Sequence, residues 1–397
     1  MISIETKGNF FYQGDERFLI KGVTYTPRKP HVRPFTEEAY IDPLSEEWLP
    51  ELRKDIPYFH ELGINSIFIC HSDTTKAPDA ALKVLQDAGI YVLLEIFTNV
   101  MKRVPFSVDL SDTEEELDMA RLYSQSIVRR NLFLVDQTAK FLNVLGYSVS
   151  MTGLNGRGET RLAAVCRAAV RDVKQYLHLR GGRTIPVGMN FSVIQGPTRQ
   201  AAPRFMAAGA PEERVDFCSF GVYDWVGPSS FQISGYNSMV ESLGQLPVPM
   251  FFNQYGAAVG RSRVLDEVEC LLSPDMTGVF SGGFFQTYAY TDPKRDRKTS
   301  VDEDGDDEED FEVPGGYDLV NVTEDGTRAP KADFQRYKER LASVSSKTSE
   351  QVIGQHERKH YEDWRGVFNN APGVGANGWL AQLGDVPPFP LEWSQVL

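Results

Sequence analysis

Hydrophobic positions along the chain follow two periods in turn. Short β-branched and aromatic runs read as strands at Phe18–Thr24, Ser66–Cys70, Tyr91–Ile96, Leu145–Val149, Ile185–Met189, Phe217–Val222, Val248–Phe252 and Gly278–Tyr288. Stretches with apolar residues three and four apart read as helices at Leu49–Leu62, Ala80–Ala88, Arg130–Phe141, Arg161–Leu179, Arg263–Leu272 and Ala332–Leu341. Strand–helix alternation repeated about eight times predicts an α/β fold of the (β/α)8, or TIM, barrel type. A doubly wound open sheet is the alternative. It needs a glycine-rich phosphate turn after its first strand, and Lys21-Gly22-Val23-Thr24-Tyr25 offers none.

Two segments break the rhythm. Between Asp292 and Glu312 stand eleven acids and four bases with almost no apolar residues. This predicts a solvated acidic insertion, residues 292–314, inside a barrel spanning residues 1–344. Residues 345–397 are expected to form a C-terminal extension, packed on the barrel or partly ordered. The insertion does not read as a calcium loop, because Gly305 comes before the position of the sharp turn that ligands at Asp302, Asp304 and Asp306 would need. His356-Glu357-Arg358-Lys359-His360 has zinc-type spacing, but its charged surroundings and the lack of a convincing third ligand favour a solvated helix. Neither metal nor cofactor is expected.

Composition narrows the function. The 397 residues are 41% hydrophobic and 24% charged, with a net charge of −14. That average field repels phosphate and disfavours general nucleic-acid or anionic-lipid binding. No apolar run approaches the roughly 18 residues of a membrane span, and the amino terminus lacks the pattern of a secretory signal. Cys70, Cys166, Cys218 and Cys270 are dispersed, which fits buried free thiols in a reducing cell. A cytoplasmic location is therefore expected.

An ordered set of segments carries a resemblance. These are Phe18-Leu19-Ile20-Lys21-Gly22-Val23-Thr24-Tyr25, Asp55-Ile56-Pro57-Tyr58, Leu62-Gly63-Ile64-Asn65-Ser66-Ile67, Asp87-Ala88-Gly89-Ile90-Tyr91-Val92 and Asn143-Val144-Leu145-Gly146. The series continues through Gly221-Val222-Tyr223-Asp224-Trp225, Ser234-Gly235-Tyr236, Val248-Pro249-Met250-Phe251-Phe252 and Ser281-Gly282-Gly283. Together, over about residues 5–343, they resemble the fungal β-1,3-glucanosyltransferases of glycoside hydrolase family 72. The resemblance implies a retaining glycosyl-transfer barrel, which needs an acid/base and a nucleophilic carboxyl about 5 Å apart. It places the acid/base at Thr152, preceded by Met151 where the family has Asn, and the nucleophile at Gln254 in Phe251-Phe252-Asn253-Gln254-Tyr255-Gly256. Both carboxylates are missing. Phe68, Cys70, Met189 and Gln286 also depart from the family pattern, and its half-cystines fall at Leu52, Val226 and Ala257.

A Thr hydroxyl cannot shuttle a proton to a glycosidic oxygen near neutral pH, and a primary amide is a poor nucleophile. The expected function is thus a pseudoenzyme's: binding a β-glucan-like oligosaccharide in the vestigial groove, or a protein through the acidic loop or tail, in fungal signalling, cell communication or self-recognition. The alternative is a divergent glycosidase or transglycosylase with relocated carboxylates, for which Asp73, Glu95 and Asp224 are placed near strand ends. Ligand-contact candidates are Tyr25, Asp73, Glu95, Tyr223, Asp224, Trp225, Gln254, Tyr255 and Tyr288.

Overall fold

The computed structural model describes residues 1–27, 40–73, 76–96, 122–151, 158–191, 198–258, 263–289, 316–323, 325–345, 371–373 and 379–397. Thr152, the acidic insertion and the His356–His360 motif lie outside them. The chain opens with a three-stranded antiparallel sheet, β1 (Ile4–Lys7), β2 (Phe10–Gln13) and β3 (Glu16–Phe18). Eight strands then close a barrel: β4 (Ile20–Thr24), β5 (Ser66–Ile69), β6 (Tyr91–Ile96), β7 (Val144–Met151), β8 (Val187–Phe191), β9 (Cys218–Gly221), β10 (Met250–Tyr255) and β11 (Phe280–Phe285). All neighbours are parallel, and β11 returns to pair with β4. A short hairpin, β12 (Val320–Val322) and β13 (Arg328–Pro330), follows.

The outer helices are α1 (Leu49–Leu62), α2 (Asp79–Asp87), α3 (Gln125–Thr138), α4 (Ala163–Leu179), α5 (Thr198–Ala207), α6 (Tyr236–Leu243), α7 (Asp266–Leu271), α8 (Pro274–Thr277) and α9 (Ala332–Ser345). In α1, Leu52, Asp55, Phe59 and Leu62 recur at three- and four-residue steps and make the buried face. Pro50 sits in its first turn, and Gly63 ends it at φ 75°, a conformation costly for other residues. The first half of α4 is different, because Ala163 to Val170 are all buried. The last residues of the sequence pack beside it, on α5 and on the turn before α4. Trp379 packs on Phe205 at 5.3 Å, and Leu380 N–H donates to Thr160 Oγ1 at 3.0 Å.

Strand residues alternate between the helices and the lumen. Ile20, Phe68, Tyr91, Leu93, Leu145, Phe217, Phe251 and Phe284 fill the lower lumen. Ile4, Phe11 and Phe18 of the amino-terminal sheet join the same cluster and plug the barrel from below. Room for the rings comes from glycine: a Cβ at Gly188 would lie 2.3 Å from the Phe217 ring, and one at Gly22 2.4 Å from Phe284. Above this apolar layer the inward positions turn polar. Asn253 donates to Asn190 Oδ1, to Phe191 O at 3.2 Å and to Ser219 Oγ at 3.2 Å.

Candidate functional site

The strands' carboxyl ends carry the polar mouth expected of this fold. Gln254 lies on β10, Tyr223 just beyond β9 and Gln286 just beyond β11, so three neighbouring strands converge. The Tyr223 hydroxyl meets Gln254 Oε1 at 3.0 Å and also contacts Gln286 Oε1. One phenolic proton serves one oxygen, so the second contact requires the other amide turned with its NH2 toward the phenol. Burial pushes the Tyr223 phenol up, which keeps it protonated. The clasp therefore presents amide and hydroxyl groups and no charge.

Across the mouth, a small cleft is lined by Cys70, His71, Ser72, Glu95, Arg130, Asn131 and Leu134. Glu95 shares the inward parity of Tyr91 and Leu93 on β6. Part of its side chain opens to the cleft, but burial raises the carboxyl to about 8, opposed by a hydrogen bond from Ser150. Glu95 is thus a neutral donor at pH 7. His71 stacks on Tyr40 at 5.1 Å, and Arg130 donates to Ser72 O at 3.4 Å.

The other candidates are placed elsewhere. Tyr25 and Tyr288 are fully buried, and both hydroxyls donate to Asp55 of α1, at 2.6 and 2.9 Å. Trp48 Nε1 donates to the Tyr25 hydroxyl at 3.0 Å, and Arg328 Nε to Asp55 at 2.7 Å. Tyr25 shares the outward parity of Val23 and Tyr288 lies just beyond β11, and through Asp55 both tie barrel to helix. Tyr255 is likewise outward, 2% exposed, its hydroxyl 3.3 Å from that of Tyr337. Trp225 is buried against Tyr236 of α6. Asp224 is exposed and paired with Arg199 at 2.9 Å, and the Asp73 N–H donates to the buried Asp42 carboxyl. Thr152 is not among the described residues, so the geometry of the two family carboxylate positions rests on Gln254 alone.

The family model of glycoside hydrolase family 72, glucanosyltransferase, matches residues 1–345. This chain belongs to that family. The Schizosaccharomyces pombe 1,3-beta-glucanosyltransferase gas1 is 31% identical over 338 residues, which cover 84% of this chain and 54% of the relative. The Candida maltosa protein EPD1 is 28% identical over 389 residues, 98% of this chain and 61% of that protein. The chain thus spans little more than half the length of such relatives. Saccharomyces cerevisiae Gas2p, solved with laminaritriose and laminaritetraose, superposes with a TM-score of 0.75 at 25% identity over 99% of this chain and 78% of that one. The closed eight-stranded barrel is therefore the glucanosyltransferase architecture.

Sequence reasoning missed Asp55, Arg328, Trp48 and Arg263. A carboxylate on the apolar face of a helix was the available signal for Asp55, since a buried charge requires partners.

Proposed function

We propose that this barrel is a non-catalytic member of its family that binds a β-1,3-glucan-like oligosaccharide at the mouth, in the cytoplasm of a fungal cell, in signalling or self-recognition. The observation that carries the reading is Gln254. It stands where the family resemblance puts the nucleophile, and the Tyr223 hydroxyl holds its amide. An amide forms no glycosyl ester, but it donates to and accepts from sugar hydroxyls. Neutral Glu95 adds a further donor without charge. Gas2p was solved with laminari-oligosaccharides, which supports the ligand class. Leu52, Val226 and Ala257 in place of half-cystines, with four free cysteines, support a reducing location.

One observation favours a second reading. Glu95 holds its proton near neutral pH, as a general acid must. A retaining reaction still needs a nucleophile, and β10 ends in an amide. Incubation with laminaripentaose decides between them. Binding without longer or shorter products supports the proposal. Turnover at ordinary enzyme rates, roughly 1–10³ s⁻¹, overturns it.

A further inference from the structure

Gln254 and Gln286 stand at the ends of two strands whose following loops must be fixed if the amides are to keep one geometry. Arg263, between β10 and α7, reaches both. It is 5% exposed. Its Nη1 donates to Gly256 O and to Gln286 O, each at 3.3 Å. Nη2 donates to Tyr317 O at 3.2 Å, and Nε to Asp333 of α9 at 2.7 Å. The guanidinium carbon lies 4.9 Å from the Phe285 ring centroid. Gly256, at φ 100°, lies against that same ring, where a Cβ would come within 2.5 Å. One planar fork thus joins the β10 end, the β11 end, the loop before β12 and an outer helix. A lysine has no such fork.

We propose that Arg263 is a positioning residue of the groove: it fixes the two strand ends that present Gln254 and Gln286 to a ligand. This rests on the reading of the mouth as a binding site. Two amides that rotate independently would each lose freedom on capturing a sugar, whereas amides already held need not. Arg263 touches no ligand itself. Its role differs from general packing because Arg336 also pairs with Asp333, at 2.7 Å. Replacing Arg263 therefore leaves that carboxylate a partner and removes mainly the donors to the strand-end carbonyls.

The test reads the Gln254 and Gln286 side-chain amide signals in a ¹H–¹⁵N spectrum of the full chain, assigned with Gln254→Ala and Gln286→Ala. In Arg263→Met and Arg263→Lys both signals should move toward the positions of free amides, while those of Asn190 and Asn253 hold. Arg336→Met, which loses a charge on Asp333 but no strand-end contact, should leave all four in place. Laminaritetraose affinity should fall about tenfold in the Arg263 variants, equivalent to about 1.4 kcal/mol, and stay constant in Arg336→Met. Unchanged Gln254 and Gln286 signals in folded Arg263→Lys overturn the proposal, as does failure of both Arg263 variants to fold. If the parent protein takes up no laminaritetraose, the glucan reading fails, and the amide signals still decide the role of Arg263.

Discussion

At the scale of single residues, the mouth owes its character to groups kept uncharged. Glu95 is the sharpest case. An acid whose folded-state pKa is raised holds its proton more tightly in the folded chain than in the unfolded one. Between its ordinary 4.5 and about 8, the unfolded chain has already released that proton, so stability falls as pH rises through this window and levels off above it. Below the window the ionisation penalty is absent. Thermal unfolding of Glu95→Gln should match the parent near pH 4 and exceed it increasingly from about pH 5 to about pH 8. A constant difference across that range would show that Glu95 is already ionised in the folded protein. The same residue shows what sequence could reveal. Its inward parity on β6 was readable from Tyr91, Leu93 and Glu95, and the resemblance put Thr152 and Gln254 at the two carboxylate positions. Tyr25 follows Val23 at the same outward phase, so a packing role for its ring was readable too. The partners of Asp55 were unreadable, because Tyr288 and Arg328 meet it across more than 230 residues of chain.

Among the elements, the central strands were legible because both of their faces are apolar. β6 matched its expected bounds, and α1 did too, with proline in its first turn and glycine at its end. The amino-terminal sheet was not foreseen. Its strands are three or four residues long and broken by Gly8-Asn9 and Gly14-Asp15, so no alternation is long enough to read. The expected Phe18–Thr24 strand is in fact two, divided at Leu19. α5 was obscured by Pro203 within it, which normally argues against a helix. The missed sheet makes a firm energetic demand. Phe11 is fully buried and lies between Phe217 and Phe251 at 5.9 and 5.8 Å. Phe11→Ala should cost about 3–5 kcal/mol of unfolding free energy in urea titration, the range for a large ring removed from a packed core. A loss below about 1 kcal/mol would mean that the plug is dispensable.

Over the whole molecule, barrel, plug and tail are one packed body. Trp379, 1% exposed, extends the hydrophobic core to within 20 residues of the end of the sequence. Around it, Ala381 is also buried, and Leu380 bonds Thr160. Composition could not distinguish packed from loose here, because tryptophans scattered among prolines and glycines have no period. The cysteines are also a property of the whole. Cys166 and Cys218 are fully buried, with thiols pushed well up by burial, and Cys270 is pushed up to about 12. Denatured protein should titrate as four thiols with or without prior reduction, and native protein should label Cys166 and Cys218 only at the rate of unfolding. A smaller count before reduction would reveal a disulfide and weigh against the cytoplasmic proposal. Asp55 adds a matter of timing. Its guanidinium partner lies 273 positions downstream, and β4 stays an open edge until β11 exists. At the usual ~5–20 residues per second, a ribosome needs roughly 15–55 s to travel from one half of that ion pair to the other. Throughout that interval the nascent chain carries a carboxylate without its guanidinium partner, and β4 keeps an unpaired edge until β11 is made, so chaperone demand should persist until Arg328 has been added.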